Sequence, residues 1–255
     1  MANTTLRDNI AVGEPDVLVT APAADPNSVT PGANTSVSTN LGAFGTSGDG
    51  RGFRFAYDGG TALVPGVLYQ MNPQTTSFEN QTSTGNATGD ITVTLGSSLT
   101  ATAGQFAGGF LVVRSGAGAG NTYSIQNNLA SSASALTITL ADPFRVATTS
   151  ASVIDIYPNP YNGIVKMPTT ATAAPVGAAI VATSGSQYAW VQTEGVIALQ
   201  NDGVSTINPG ELVAASVTTD GNVTAFLAGT TPAIVGTAVT TISGTNWGLV
   251  KLNLN

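Results

Sequence analysis

From about residue 50 the chain reads as short apolar stretches that alternate with Thr or Ser, cut at intervals by Gly, Asn and Asp. Ile91-Thr92-Val93-Thr94-Leu95 and Leu136-Thr137-Ile138-Thr139-Leu140 alternate with period two. β-branched apolar residues interleaved with Thr in this way predict half-buried antiparallel strands. Phe110-Leu111-Val112-Val113 and Val153-Ile154-Asp155-Ile156-Tyr157 predict two more. Tyr188-Ala189-Trp190-Val191-Gln192 is expected to face Ala178-Ala179-Ile180-Val181 across the turn Thr183-Ser184-Gly185-Ser186, as a hairpin. Asp49-Gly50, Asp58-Gly59, Asn162-Gly163, Asp202-Gly203 and Asp220-Gly221 supply positive φ and mark tight turns. No stretch carries helical apolar spacing with caps, and only residues 100–107 admit a short helical turn. The expected fold is all-β: an antiparallel sandwich or small barrels, two related units in tandem, preceded by an extended N-terminal arm.

One internal echo shapes that expectation. Asp58-Gly59 is followed by Pro65-Gly66-Val67-Leu68, and Asp202-Gly203 at the same interval by Pro209-Gly210-Glu211-Leu212. Each motif follows an alternating segment, residues 53–57 and 197–201. Pro fixes φ and Gly permits the left-handed residue of a type II turn. The repetition suggests related units at about 50–100 and 176–255, with 101–168 between them. Residues 1–48, with Pro15, Pro22, Pro26 and Pro31 among small polar residues, read as an arm whose one candidate strand is Asp16-Val17-Leu18-Val19-Thr20. The composition of residues 168–176 is that of a linker. The expected division is therefore 1–48 arm, 49–168 first β domain and 169–255 second.

Composition narrows the function. Charged residues make up 8% of the chain, against about 25% in an average soluble domain. Seven basic residues stand against fourteen acidic ones, for a net charge of −7. The cations are scattered, which excludes a phosphate-binding footprint and predicts no nucleic-acid partner. Cys and His are both absent. That removes thiol chemistry, the usual Ser-His-Asp triad and most zinc sites. The G-x-S-x-G elbow and the Ser-x-x-Lys pattern are missing, and Gly116-Ala117-Gly118-Ala119-Gly120-Asn121 fails both nucleotide-loop spacings, so it reads as a hairpin loop. Glu194, near Tyr188 and Trp190, is the best candidate acid for glycosidase chemistry on a sugar-stacking platform. Calcium is the one metal the Asp and Asn oxygens suit, and no known loop pattern supports it. No cofactor is expected. The opening residues lack the apolar core of a signal peptide, and no run of about 18 apolar residues spans a membrane, so synthesis in a host cytoplasm without a membrane partner is expected.

Three groups of segments resemble head-decoration and related structural proteins of tailed bacteriophages, notably of marine and cyanobacterial hosts. They are residues 48–57 running into 60–66; residues 104–113, 120–125 and 142–144; and residues 188–195, 234–238 and 247–252. The resemblance implies a non-enzymatic virion protein on the capsid surface, bound to the major capsid protein and to copies of itself, most often as a trimer. On that reading Arg51, Arg54, Arg114 and Arg145 are the candidate partner-binding residues, with Arg51 and Arg54 on one strand face. Pairing within the chain with Asp49, Asp58 or Asp142 is the alternative for these cations. A tail or head fibre, a glycan-binding adhesion module and a β-fold polysaccharide-degrading enzyme are the competing functions.

Overall fold

The computed structural model describes residues 19–22, 41–229 and 233–254. Its strands are β1 (Val19–Pro22), β2 (Phe44–Thr46), β3 (Gly52–Tyr57), β4 (Leu68–Gln70), β5 (Gln81–Thr82), β6 (Thr92–Ala101), β7 (Phe110–Ser115), β8 (Thr122–Asn128) and β9 (Ser131–Leu140). They continue with β10 (Val153–Tyr157), β11 (Val165–Lys166), β12 (Pro175–Ala179), β13 (Gln187–Gln200), β14 (Leu212–Ala215), β15 (Val223–Ala225), β16 (Ile234–Ala238) and β17 (Trp247–Asn253). The protein is all-β and built of two units; the described residues contain one turn of 3-10 helix, Thr76–Phe78, and no α-helix. Of the expected arm, residues 1–18 and 23–40 lie outside the described residues. The rest of it includes β1 and β2, and the candidate strand 16–20 overlaps β1 at residues 19 and 20.

The smaller unit, Gln74–Pro160, is a six-stranded antiparallel sheet in the order β5-β10-β7-β8-β9-β6. A bridge from Ser83 to Leu95 brings its first and last strands together, so the sheet nearly closes into a barrel. The period-two pattern explains its interior. Val93 and Leu95 face Ile138 and Leu136 across the β6–β9 ladder, while the Thr residues between them turn away. Leu111, Val113, Tyr123, Ile125, Ile154 and Ile156 complete the core, with Phe78 packed edge-on against Phe106 at 4.7 Å. Gly116–Asn121 is the loop of the β7–β8 hairpin, closed by the Gly120 N–H on the Val113 carbonyl at 2.9 Å. Residues 103–108 form turns after β6 ends at Ala101, not a helix.

The larger unit combines Gly42–Pro73 with Tyr161–Asn255 and includes β1. Its eleven-stranded sheet runs β11-β4-β12-β13-β17-β16-β14-β15, with β3 and β1 also on β13 and β2 on β3. This order contains the same five-stranded pattern twice. In the first repeat β11-β4-β12-β13 continues to β3; in the second β15-β14-β16-β17 continues to β13. β13 is long because it serves both: residues 188–194 pair with β3 and 194–200 with β17.

Hydrogen bonds repeat with the topology. Gly66 N–H donates to the Ala179 carbonyl and Ala179 N–H to that of Val67; Gly210 N–H donates to Ala238 and Ala238 N–H to Glu211. Leu63 pairs with Thr183 as Ile207 pairs with Ile242. Asp58 Oδ1 accepts the Gly60 N–H and its Oδ2 the Thr183 hydroxyl at 2.7 Å; Asp202 Oδ1 accepts the Val204 N–H and its Oδ2 the Ser216 hydroxyl at 2.7 Å. In both repeats the Asp closes its own turn; the hydroxyl it accepts differs, from the β12–β13 connection in the first and from just past β14 in the second. Residues 175–192 and 234–251 then align without a gap, sharing Val176/Val235, Gly177/Gly236, Ala179/Ala238, Ser184/Ser243, Gly185/Gly244 and Val191/Val250.

The expected placement of the repeat is thereby corrected. Both Asp-Gly and Pro-Gly motifs lie in the larger unit, and the smaller unit interrupts the first repeat between β4 and β11. The structure divides the chain differently from the boundaries at 48/49 and 168/169, because β3 and β4 need β12 and β13 as hydrogen-bonding neighbours. The segment with linker composition, residues 168–176, is the connection into β12, inside that unit.

Candidate interaction surface

Alternation along β17 turns Val250 and Leu252 into the core and Trp247, Leu249 and Lys251 outward. Val196 and Ala198 of β13 do the same, paired with Lys251 and Leu249. A cross-strand row runs Val196, Lys251, Thr237, Leu212 over β13, β17, β16 and β14. Val239, just beyond β16, is exposed beside it. The outer face of the second repeat is therefore mostly apolar, with Lys251 as the cation in that row.

Trp247 has a fixed seat. Its ring rests on Gly66, where a β-carbon would come within 2.0 Å of Cζ3 and 2.9 Å of the Ala198 carbonyl oxygen. Gly66 has φ of 72°, so glycine answers both the turn and the close approach. A groove beside the indole is lined by Pro65, Ala179, Ile180, Ile197 and, at its polar side, Arg51 and Gln192. Gln192 is fully buried; its Nε2 donates to the carbonyls of Glu194 and Val196, and its Oε1 has no donor.

The first repeat treats the equivalent face differently. Tyr188 and Trp190 occupy the places of Trp247 and Leu249 and are 1% and 4% exposed, against 50% and 40%. Phe55 stacks on Tyr188 at 5.6 Å and lies 5.3 Å from Trp190, and Tyr57 lies 4.9 Å from Tyr188. Burial pushes the Tyr188 hydroxyl far above its ordinary pKa.

The expected sugar platform of Tyr188 and Trp190 beside Glu194 is therefore a packed aromatic layer, and the exposed indole is Trp247, on the other repeat. Trp247 has no acidic residue near it in the sequence, so a search for sugar-binding chemistry by proximity does not mark it. The signal lay in the alternation of Trp247 with Gly248, Leu249 and Val250.

The four candidate arginines are placed separately, each with partners in its own unit. Arg51 Nε lies 2.7 Å from Asp49 Oδ2, and the guanidinium is over Phe53 at 5.6 Å. Arg54 donates to the Gly42 carbonyl at 2.9 Å and covers the Phe44 ring at 5.0 Å. Arg51 and Arg54 do not share a face: Arg51 lies on the side of Phe53, and Arg54, one position on, points the other way. Arg114 donates to Asn80 Oδ1 at 2.9 Å and lies 3.6 Å from Asp155. Arg145 donates to the Thr122 carbonyl at 2.8 Å, over the Tyr123 ring at 4.8 Å. The Ser47 hydroxyl and then Arg51 hold the Asp49 carboxyl below its usual pKa.

Among the described residues no group of three or more acidic side chains converges as a metal site, and no helix is long and apolar enough to cross a membrane. No family model matches the sequence, and neither the curated proteins nor the solved structures contain a match.

Proposed function

We propose that this chain is a structural protein of a tailed-phage virion that coats or cements the outer surface of the assembled capsid through many weak non-covalent contacts, without catalysis. The observation that carries the reading is the surface chemistry of the larger unit. A sheet face offers Val196, Leu212, Val239, Trp247 and Leu249 around one Lys, in a chain with 8% charged residues. Contacts of this kind are individually modest, and symmetry multiplies them when many copies meet a repeating shell. They are also insensitive to salt, because screening weakens only exposed ion pairs. On this reading the partners are the major capsid protein and further copies of the chain, as a trimer, and the protein resides on the virion.

The test is quantitative proteomics of purified virions from the phage that encodes the chain, with an electron-microscopy map of the head. Hundreds of surface copies support the proposal; absence from particles, or a handful at the tail, overturns it. The arginines are tested in the same assay. Arg51→Ala with Arg54→Ala is expected to lower the copies retained per particle, and unchanged occupancy removes those residues from the contact.

A further inference from the structure

We propose that the outer face of the second repeat binds one pyranose ring of a glycan, stacked on Trp247 in the groove above Ala198. The inference comes from comparing the two repeats and does not depend on the function proposed above.

The first repeat shows how the equivalent place is filled. Across the β3–β13 ladder Phe53, Phe55 and Tyr57 stand opposite Gln192, Trp190 and Tyr188. The Phe55 ring lies parallel to Tyr188, with 8° between the planes and 5.6 Å between the centroids, and closes the face. Across the β13–β17 ladder the same positions fall to Val196, Ala198 and Gln200, opposite Lys251, Leu249 and Trp247. Ala198 thus stands where Phe55 stands, and the ring that covers Tyr188 has no counterpart over Trp247. The groove left there has a volume of about 540 Å³, within the range of small-ligand sites. Trp247 is half exposed and yet seated on Gly66, which presents its ring in a fixed position.

The chain's remaining residues do not supply an aromatic ring. All eight Phe, six Tyr and two Trp belong to the described residues, and positions 1–18, 23–40, 230–232 and 255 hold none. Strand pairing is closed as well at Leu249, whose carbonyl accepts the Val239 N–H and whose N–H donates to the Thr240 hydroxyl. The rim decides the chemistry of the occupant. Phe55 is flanked by Phe53 and Tyr57, whereas Ala198 is flanked by Val196 and Gln200, with Lys251 opposite Val196 and Arg51 across the groove. Arg51 spends its Nε on Asp49, and its terminal nitrogens have no partner among the described residues. Gln192, fully buried, lines the groove, and its Oε1 has no donor. An apolar floor edged by N–H donors and an amide acceptor suits a ring with apolar faces and a hydroxylated rim. A Phe or Pro ring would leave those polar groups unpaired.

The test uses the full chain carrying Trp190→Phe, so that Trp247 alone fluoresces. The probes are the methyl glycosides of glucose, galactose and N-acetylglucosamine, titrated to about 100 mM against an expected Kd of about 1 mM. At least one is expected to shift Trp247 emission to the blue in a saturable way. Ala198→Phe in the same background is expected to rebuild the layer of the first repeat: Trp247 emission moves to the blue without sugar, and sugar affinity falls about tenfold or more. A second variant, Trp247→Leu, is read by saturation-transfer NMR on the sugar and is expected to lose the signal. No response to any of the three sugars overturns the proposal. So does sugar binding that survives Trp247→Leu, or that survives Ala198→Phe once the indole is covered, or tighter binding of N-acetylphenylalanine amide than of every sugar.

Discussion

Gly66 and Gly210 occupy the same place in the two repeats, and substituting each by Ala isolates what the close approach of Trp247 and the Ala198 carbonyl to Gly66 adds. Both have positive φ, 72° and 85°. An L residue in that region costs about 1–2 kcal/mol, offset by roughly 0.4–1 kcal/mol from a less flexible unfolded chain, and both corrections are common to the pair. The environments differ. A β-carbon at Gly210 meets nothing within 4 Å, whereas at Gly66 it falls 2.0 Å from Trp247 Cζ3 and 2.9 Å from a backbone oxygen. Trp247 must leave its seat, exposing on the order of 50–100 Å² more apolar surface, or about 1.3–2.5 kcal/mol at 25 cal/mol/Å². The contact with the Ala198 oxygen adds to this, so Gly66→Ala is expected to destabilise by at least about 1.3 kcal/mol more than Gly210→Ala. That difference corresponds to a melting temperature lower by at least about 3 °C. Both tryptophans lie in the larger unit, so fluorescence-detected urea unfolding reads that unit directly. Trp247 emission should also move to the red in Gly66→Ala alone. Equal losses in the two variants, with unchanged emission, refute the packing argument.

Excising residues 74–160 and joining Pro73 to Tyr161 is expected to leave the larger unit folded, with one calorimetric transition lost; loss of cooperative unfolding by fluorescence contradicts the insertion reading. The joint leaves three residues, 71–73, and four, 161–164, between β4 and β11, matching the seven of 216–222 in the second repeat, and Asn72 already lies beside Gly163. The backbone and then the side chain of Asn208 lower the pKa of Glu211 from 4.5. A depressed folded pKa gives stability that is present above the unfolded value and lost as pH falls through the folded one. Glu211→Gln is therefore expected to be less stable than the parent at pH 7, with the gap in melting temperature closing as pH falls past the ordinary carboxylate value and through the lowered one; a gap independent of pH contradicts this.

The smaller unit was legible because its strands obey a local rule. Ile91–Leu95 and Leu136–Leu140 alternate cleanly, and they face each other in the β6–β9 ladder, with β6 beginning at Thr92. The β12–β13 hairpin was legible for the same reason. What could not be read was which segments are neighbours across long separations. Asp58-Gly59 and Asp202-Gly203 were visible as a pair, but the rest of the first repeat resumes only after the insertion, at residues 161–192. β4 and β11 are too short to carry a pattern, and their pairing rests on partners far away in sequence. The exposed face was hidden for a different reason. Alternation places Trp190 and Trp247 equally well on either side of a sheet, and only the neighbouring strands decide which side is covered.

The two repeats differ where a duplicated unit has freedom to differ: in loops and on outer faces. The topology, the Asp-anchored turns and the Pro-Gly turns are shared, because each satisfies buried backbone groups that neither repeat can leave unpaired. The first repeat carries an inserted unit in its β4–β11 connection, and Phe55, Tyr57, Tyr188 and Trp190 form a layer over its outer face, with β1 on the adjoining edge. The second keeps the short connection and leaves the equivalent face as Ala198, Val196, Leu249 and Trp247, and among the described residues no strand follows β16 on that edge. Small residues opposite a half-exposed indole make a shallow cleft, while aromatic residues in the same positions make a closed layer. The asymmetry thus gives one chain a repeat whose outer face is closed by its own aromatic residues and a repeat whose outer face keeps Trp247 and Leu249 exposed.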